Sequence, residues 1–305
     1  MANDLGSSRP GALIDLAQPL RAKRAWWGRL AILAKRKPLG TASASVILAL
    51  ILVAILADLL APYDPIKTSP KSRLVPPSRQ YLMGGDHLGR DIFSNIIHGA
   101  RLSLFVGIVS VMVGTMTGSL IGTASGYLGG KVDFGAQRFI DTLMAFPTLV
   151  LAIAIVSFLG SNVINVLFAI GITIIPTTSR VVRGSVLSVK ENQYVEAARA
   201  IGCGPLRIMG MHVLPNVMAP IIILASIALG GAILAEASLS FLGLGVPPPA
   251  ASWGRMLGGE SIRFMAEAPW ILVFPGLAIT IVVLAFNLLG DTVRDVLDPR
   301  LRGTR

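Results

Sequence analysis

The residue types that usually carry chemistry are sparse in this sequence, and none shows the spacing of a known active site. His87, His98 and His212 are widely separated along the chain and provide no metal-ligand set. Cys203 is the single cysteine, so the chain contains no disulfide framework. No HExxH zinc motif and no nucleophile elbow occurs. We therefore expect no catalytic residue, no metal site and no enzymatic activity.

The glycine-rich segments do not match a phosphate-binding loop either. Gly129–Val132 reads GGKV, which lacks the leading glycine and the hydroxyl residue of a P-loop. Gly202 and Gly204 lack the third glycine and the preceding strand of a dinucleotide fingerprint. We expect that the chain itself binds neither ATP nor another cofactor.

One acidic residue lies well inside a long apolar segment. Ionisable residues at membrane depth often mark a substrate or proton path, which makes Glu236 a candidate for a translocation path. An equally good alternative is that Glu236 is a structural partner for a helix terminus or for a neighbouring chain. A self-contained, ion-driven transporter usually carries more buried ionisable groups, so secondary transport is the weaker functional alternative.

The composition is that of an integral membrane protein. Of 305 residues, 53% are hydrophobic and 14% are charged, with a mean hydropathy of +0.70, whereas soluble domains carry about 25% charged residues. Six segments are long and apolar enough to cross about 30 Å of hydrocarbon. We predict an all-α polytopic membrane protein with six transmembrane helices, over Leu39–Ala61, Leu102–Thr123, Leu143–Gly160, Val163–Val181, Val217–Leu239 and Trp270–Leu289.

The distribution of Lys and Arg predicts the orientation. Most of the 27 basic residues fall in segments that share one side if the N-terminus is cytoplasmic. The chain then divides into a cytoplasmic basic tail (1–38), a first transmembrane helix (39–61), an extracytoplasmic loop (62–101), a five-helix core (102–290) and a cytoplasmic tail (291–305). Residues 19–37 mix basic residues with Trp26 and Trp27. They fit an amphipathic helix on anionic lipid or a solvated tail that only enforces topology.

Glycines recur every four residues along the second predicted span. Gly114, Gly118, Gly122 and Gly126 form a ridge of small residues that lets helix backbones approach closely. We expect a tightly packed bundle or a contact between subunits. Pro147 and Pro176 are expected to kink the third and fourth spans.

The loop between the fourth and fifth spans, at about 190–216, is more structured than a simple connection requires. Tyr194, Ala197, Ala198 and Ile201 fall on one helical face, and Glu196 lies three residues before Arg199, close enough to pair. Gly202 supplies a left-handed helix stop, and Pro205 suits the first turn of a second helix. Leu206, Met209 and Val213 form the predicted apolar stripe of that helix, and Pro215 ends it. A compact bent element of this kind can move as a rigid lever.

This loop resembles the EAA loop of ABC importer permeases. Its pattern is present at Glu196, Ala197, Ala198, Gly202, Leu214 and Pro215. His212 is the residue usual in the peptide-importing branch. Further segments are similar to the dipeptide/oligopeptide/nickel permease family and match its DppC or OppC type: Leu82–Leu104, Gly126–Ile153, Ala237–Leu257 and Phe286–Leu301.

The resemblance implies a type I ABC permease fold in the bacterial inner membrane. It implies as partners a homologous DppB- or OppB-type permease, two cytoplasmic ATPases that use ATP and Mg, and an extracytoplasmic solute-binding protein. The ATPase-coupling residues would be Glu196, Ala197, Ala198, Arg199, Gly202, Leu214 and Pro215. The implied substrates are di- and oligopeptides, with a nickel chelate or a glycoside as alternatives.

Two outer segments are candidates for receiving the binding protein. The stretch after Asp91 predicts a short helix on the membrane surface, and Gly243–Ala268 forms a proline-rich loop that contains Trp253. Interfacial anchoring is the alternative role for Trp253 and the favoured role for Trp270.

Overall fold

The computed structural model describes residues 37–297, and the predictions for the basic tail and the last eight residues lie outside this range. The described chain is helical and has no strand longer than an isolated bridge between Gly85 and Asp91. The helices are α1 (Pro38–Ile55), α2 (Ala57–Leu60), α3 (Ile92–Leu128), α4 (Gly130–Met144), α5 (Thr148–Leu159), α6 (Val163–Val189), α7 (Gln193–Ala200), α8 (Pro205–Ile208), α9 (Met218–Phe241), α10 (Trp253–Leu257) and α11 (Trp270–Leu297).

Five of the described helical segments are each long and apolar enough to cross a membrane. One further span, third in chain order, is made of two helices with a bend between them. Four of the five segments are the helices α1, α3, α6 and α11. The other runs from Pro205 to Phe241, so it includes α8, the turns that follow and α9. Helices α4 and α5 qualify only as a pair and meet at 92°. The third span predicted over Leu143–Gly160 therefore covers only α5 and the end of α4, and it contains the bend. Pro147 caps α5 and disfavours a helical conformation at Phe146, so the helix breaks there, as the predicted kink requires.

Several helices extend beyond the predicted apolar segments. Helix α3 begins at Ile92, where Asp91 caps it by accepting a hydrogen bond from the Ser94 amide at 2.8 Å. The separate surface helix predicted here is wrong, because Ile92 and Ile97 are buried and continue the same helix. Helix α11 runs on to Leu297, so the start of the predicted C-terminal tail at 291 is helical.

The glycine ridge packs α3 against α6 within this chain. A Cβ added to Gly114 would lie 2.5 Å from the carbonyl oxygen of Gly171, and one added to Gly118 would lie 2.8 Å from that of Ile175. The prediction of a tight bundle is confirmed, and the ridge is occupied by an intramolecular partner. Such close backbone approach replaces the hydrophobic driving force that helices lack in lipid.

Two buried clusters hold the bundle together. One joins α1, α3, α9 and α11, and it includes Ile47, Leu104, Ile233 and Val282. The other joins α3, α5, α6 and α9. The indole of Trp253 also lies in the first cluster, 1% exposed, and donates from Nε1 to the Ile96 carbonyl at 2.8 Å. Trp253 is thus a core residue and not an interfacial anchor, whereas docking of a binding protein on the loop around it stays a prediction.

Candidate functional site: the 193–217 loop and a neighbouring cavity

Helix α7 ends in the glycine stop that the sequence predicts. Gly202 has φ +83°, its amide donates to the Arg199 carbonyl at 2.9 Å, and the Cys203 amide donates to the Ala198 carbonyl at 3.0 Å. This pair of hydrogen bonds is the Schellman arrangement, which favours glycine because other residues are strained at positive φ. The bend after Ala200 is therefore encoded locally.

The second half of the loop is continuous with the fifth span. Pro205 starts α8, as predicted, and a π-helical turn follows over Met209–Val213. Leu214 and Pro215 lie in the 3-10 turn Leu214–Val217 that leads into α9. Pro215 therefore does not end the element, and the loop runs directly into α9.

The loop packs on α6 through a different face from the one predicted. Val195 and Ala198 are buried together with Ile208, Val213 and Val217, all against Val182 and Val186 of α6. Tyr194, Ala197 and Ile201 are exposed, so the predicted first stripe is wrong except at Ala198. In the second stripe, Val213 is buried but Leu206 is exposed. The amphipathic pattern was misassigned because α6 covers only one narrow side of the loop.

Arg199 ties the loop to α3. Its guanidinium lies 5.3 Å from the centre of the Tyr127 ring, and its Nε donates to the Tyr127 hydroxyl at 3.4 Å. A cation over an aromatic face is attracted to it. The predicted pair with Glu196 does not form, and the Glu196 side chain is exposed with no ion pair to any residue of the described range.

The loop presents large apolar side chains outwards. Ile201 is 81% exposed, Leu206 is 82% exposed and Met211 is 65% exposed. We call these three residues the outward apolar set. Isolated exposed apolar residues are ordinary, but three on one short loop are typical of a protein-binding surface.

A cavity of about 450 Å³ lies between α5, α6 and α9. Its lining is apolar apart from hydroxyl groups on Thr148, Thr173, Thr177, Thr178 and Ser238. The hydroxyls of Thr173 and Ser238 donate to the carbonyls of Ile170 and Leu234, which leaves their oxygens as acceptors. The surface can therefore bind polar main-chain groups without presenting a charge. The first residues of α5, Thr148 and Leu149, follow the elbow between α4 and α5 directly and form part of the wall.

Glu236 faces away from that cavity. Its side chain is fully buried and accepts hydrogen bonds from Ser103 of α3 at 2.9 Å and from Ser240 at 2.7 Å. Ser252, the residue that caps the short helix α10, lies near the same carboxylate. This geometry favours the alternative that Glu236 is a hydrogen-bond partner for a helix terminus. A role for Glu236 in translocation stays a prediction.

Two features of the site were not anticipated from the sequence. The hydroxyls at Thr173 and Thr177 fall one helical turn apart in an apolar span, which is the signal that could have revealed the cavity. Helix α4 is joined to α6 by ion pairs between Asp133 and Arg183 and between Asp141 and Arg180. No local pattern indicates these pairs, because their partners lie on different helices.

Comparison with protein families identifies the chain. Residues 114–303 match the model described as "Binding-protein-dependent transport system inner membrane component", and residues 24–77 match the "N-terminal TM domain of oligopeptide transport permease C". The chain belongs to this family of ABC transporter permeases. The permease is therefore a multi-pass inner-membrane protein of the DppC/OppC type, as its sequence motifs predict.

Relatives resemble the permease over most of its length. It is 43% identical over 268 residues to the "Dipeptide transport system permease protein DppC" of Alkalihalophilus pseudofirmus, covering 88% of each chain. It is 44% identical over 280 residues to the "Glutathione transport system permease protein GsiD" of Pectobacterium atrosepticum, covering 92% of this chain and 91% of that one.

A solved structure shares the fold of the permease. A chain of the MetNI methionine ABC transporter, crystallised in inward-facing conformations, superposes with a TM-score of 0.54 and 17% identity. The match covers 67% of this chain and 96% of that chain. It confirms the predicted ABC importer permease fold and carries no information on substrate.

Proposed function

We propose that the permease forms half of the translocation path of an importer for di- or oligopeptides, and that its 193–217 loop receives movement from an ATPase partner. The observation that carries this proposal is the outward apolar set, Ile201, Leu206 and Met211, on a loop packed firmly against α6. Apolar side chains exposed in this way are stabilised when a partner covers them.

The loop is connected to two membrane-spanning helices, so movement of the loop can reach both of them. Its buried face packs on the last turns of α6, and its far end continues into α9 through the turn at Leu214 and Pro215. Both helices line the cavity. Displacement of the loop by a partner would therefore reach the cavity walls, which is the requirement for alternating access.

The cavity has the chemistry expected for a path that accepts many peptides. Its hydroxyl and apolar lining offers hydrogen bonds to main-chain groups but no fixed charge that would select a particular side chain. The relatives named for dipeptide and glutathione transport support a peptide substrate. A homologous second permease would provide the opposite wall of the path.

The orientation and the partners in this proposal rest on the distribution of Lys and Arg in the sequence and on the family to which the chain belongs. Both termini and the 193–217 loop lie in the cytoplasm, where two ATPase subunits bind ATP and Mg, and this chain binds neither and catalyses no reaction. The extracytoplasmic loops receive a solute-binding protein. Among them, the segment around Gly84 packs against Trp270, which donates from Nε1 to the Gly85 carbonyl at 3.3 Å and thus does more than anchor the interface.

The test is gentle affinity purification of the permease from native membranes, followed by identification of its partners and assays of ATP hydrolysis and peptide uptake. We expect a second permease and ATPases, with hydrolysis stimulated by a binding protein and with labelled peptides accumulated in proteoliposomes. Loss of uptake of another solute, such as a nickel chelate or a glycoside, in a deletion strain that still takes up peptides would contradict the peptide assignment.

A further inference from the structure

Helix α4 is attached to the rest of the described bundle mainly through charge. Ile140 is the only buried residue of this helix, whereas Phe134 and Phe139 are exposed. A helix with so little apolar burial is positioned by its polar contacts rather than by core packing. The ion pairs of α4 therefore contribute to its position, the more buried Asp133–Arg183 pair more than the half-exposed Asp141–Arg180 pair.

The first polar contact joins three helices. Arg183 of α6 donates from Nε to Asp133 Oδ1 at 2.6 Å and from Nη2 to Oδ2 at 2.5 Å. The buried Ser125 hydroxyl of α3 donates to Asp133 Oδ1 at 2.5 Å, and Gln137 donates to Ser125 at 3.0 Å. A two-pronged arginine–carboxylate pair fixes orientation as well as distance. The beginning of α4 is thus fixed to both α3 and α6.

The second contact lies at the other end of α4. Arg180 of α6 donates from Nη2 to Asp141 Oδ1 at 2.5 Å. Asp141 is in the last turn of α4, immediately before the 92° elbow at residues 145–147. The two pairs therefore hold both ends of α4 to one helix, and the second holds the end that carries the elbow.

These contacts connect the 193–217 loop with the cavity wall. Arg180 and Arg183 precede Val186, which packs with Val195 and Val213 of the loop. On the other side of the elbow, Thr148 and Leu149 line the cavity. A continuous series of contacts therefore runs from the loop through the end of α6 and α4 to the cavity.

We propose that Asp133 and Asp141, paired with Arg183 and Arg180, are positioning residues that transmit displacement of the 193–217 loop to the elbow at residues 145–147. Helix α4 then links the loop to the elbow, and the start of α5 just beyond the elbow, at Thr148 and Leu149, is the part of the cavity wall that it moves. This inference rests on the proposed role of the loop as the receiver of ATPase movement.

The test uses the complete transporter, co-purified and reconstituted in proteoliposomes with its binding protein. Asp141→Asn should lower the amount of peptide transported per ATP hydrolysed by about five-fold or more, which is the size of a typical coupling between sites. Binding-protein-stimulated ATP hydrolysis should persist, because the loop itself is intact. The charge exchange Asp141→Arg with Arg180→Asp should restore the ratio.

The matched control is Asp58→Asn, which removes an exposed ion pair between α2 and Arg101 of α3 that involves neither α4 nor α6 and should leave the ratio unchanged. Equal loss of hydrolysis and uptake in Asp141→Asn, or an unchanged ratio in Asp133→Asn and Asp141→Asn combined, would overturn the proposal. If the unmodified complex itself shows no ATP-dependent uptake, the proposed function has failed, and this result is distinct from any failure of the ion-pair variants.

A distance measurement provides a second readout that a purely structural role would not move. Spin labels at Phe146→Cys in the elbow and Met112→Cys on α3 are introduced with Cys203→Ser to remove the native thiol. Nucleotide binding should change the distance between the labels in the otherwise unmodified complex and should not change it in Asp141→Asn. A change of equal size in both would overturn the proposal.

Discussion

Gly122 on α3 lies so close to Ser179 on α6 that a Cβ added to the glycine would be 2.5 Å from the serine carbonyl oxygen. The backbones of the two helices are therefore in contact along the ridge, and no side chain separates them. This contact fixes α6, and with it the 193–217 loop, relative to the rest of the bundle.

We expect Gly122→Leu to destabilise the permease by about 1–3 kcal/mol, the usual cost of overpacking a tight interface. The added side chain would force α3 and α6 apart. Thermal unfolding in detergent, followed by light scattering or fluorescence, measures the loss. Gly184→Ala is the control, since a Cβ there meets nothing within 4 Å. If Gly122→Leu unfolds at the same temperature as the unmodified permease, the two helices can separate without a loss of stability.

Gly202→Val should uncouple ATP hydrolysis from uptake while leaving membrane insertion intact. Gly202 has φ +83° and open space around it, so the variant suffers backbone strain of about 1 kcal/mol or more without a steric clash. The strain distorts the bend that carries α8. Gly204→Ala, at φ −67°, is the matched control. If Gly202→Val transports the normal amount of peptide per ATP hydrolysed, the interpretation that the loop moves as a rigid lever is contradicted.

Glu236→Ala should reduce stability, whereas Glu236→Gln should largely preserve it. Alanine would leave the buried hydroxyls of Ser103 and Ser240 without their acceptor, at a cost of about 1–3 kcal/mol for each unsatisfied group. Uptake normalised to the amount of assembled complex should be unchanged in both variants. A selective loss of uptake in Glu236→Gln, with normal stability, would instead place the residue in the translocation path.

The outer loops should loosen at acidic pH because of His87. Burial lowers the pKa of His87, and the nearby Asp86 only partly opposes this effect. The ring stacks 6.0 Å from Phe264 and its Nδ1 lies 3.3 Å from the Ser261 hydroxyl. The unfolded state takes up the proton first, at about pH 6.5. The stabilisation is therefore complete above that pH and is lost as the pH falls through the lower folded-state pKa.

Hydrogen exchange of residues 259–264 at pH 7.5 and at pH 5.5 measures this effect. Intrinsic exchange slows as the pH falls, so the rates are expressed as protection factors, which should be smaller at pH 5.5 than at pH 7.5. His87→Asn should abolish this difference in protection. An equal loss of protection in His87→Asn would assign the pH response to another group.

The sequence predicted the features that depend on a few neighbouring residues. Gly202 and Pro205 determine the bend locally, and the helical repeat of glycines indicates close packing whichever helix is the partner. The buried face of α7 was misassigned because Val195 and Tyr194 are both apolar, and only the position of α6 decides which of them is covered. The Asp133–Arg183 pair was not predictable, since it joins residues 50 positions apart through the tertiary fold.

Site-specific photocrosslinking tests most directly whether the 193–217 loop binds an ATPase subunit. The photoreactive amino acid p-benzoylphenylalanine replaces Leu206, and in a separate control it replaces Ile262, an exposed apolar residue of the outer loops. After irradiation of native membranes, the probe at Leu206 should form an adduct with an ATP-binding subunit, and the probe at Ile262 should not. Absence of that adduct at Leu206, in membranes where the complex is shown to hydrolyse ATP and take up peptide, would contradict the account.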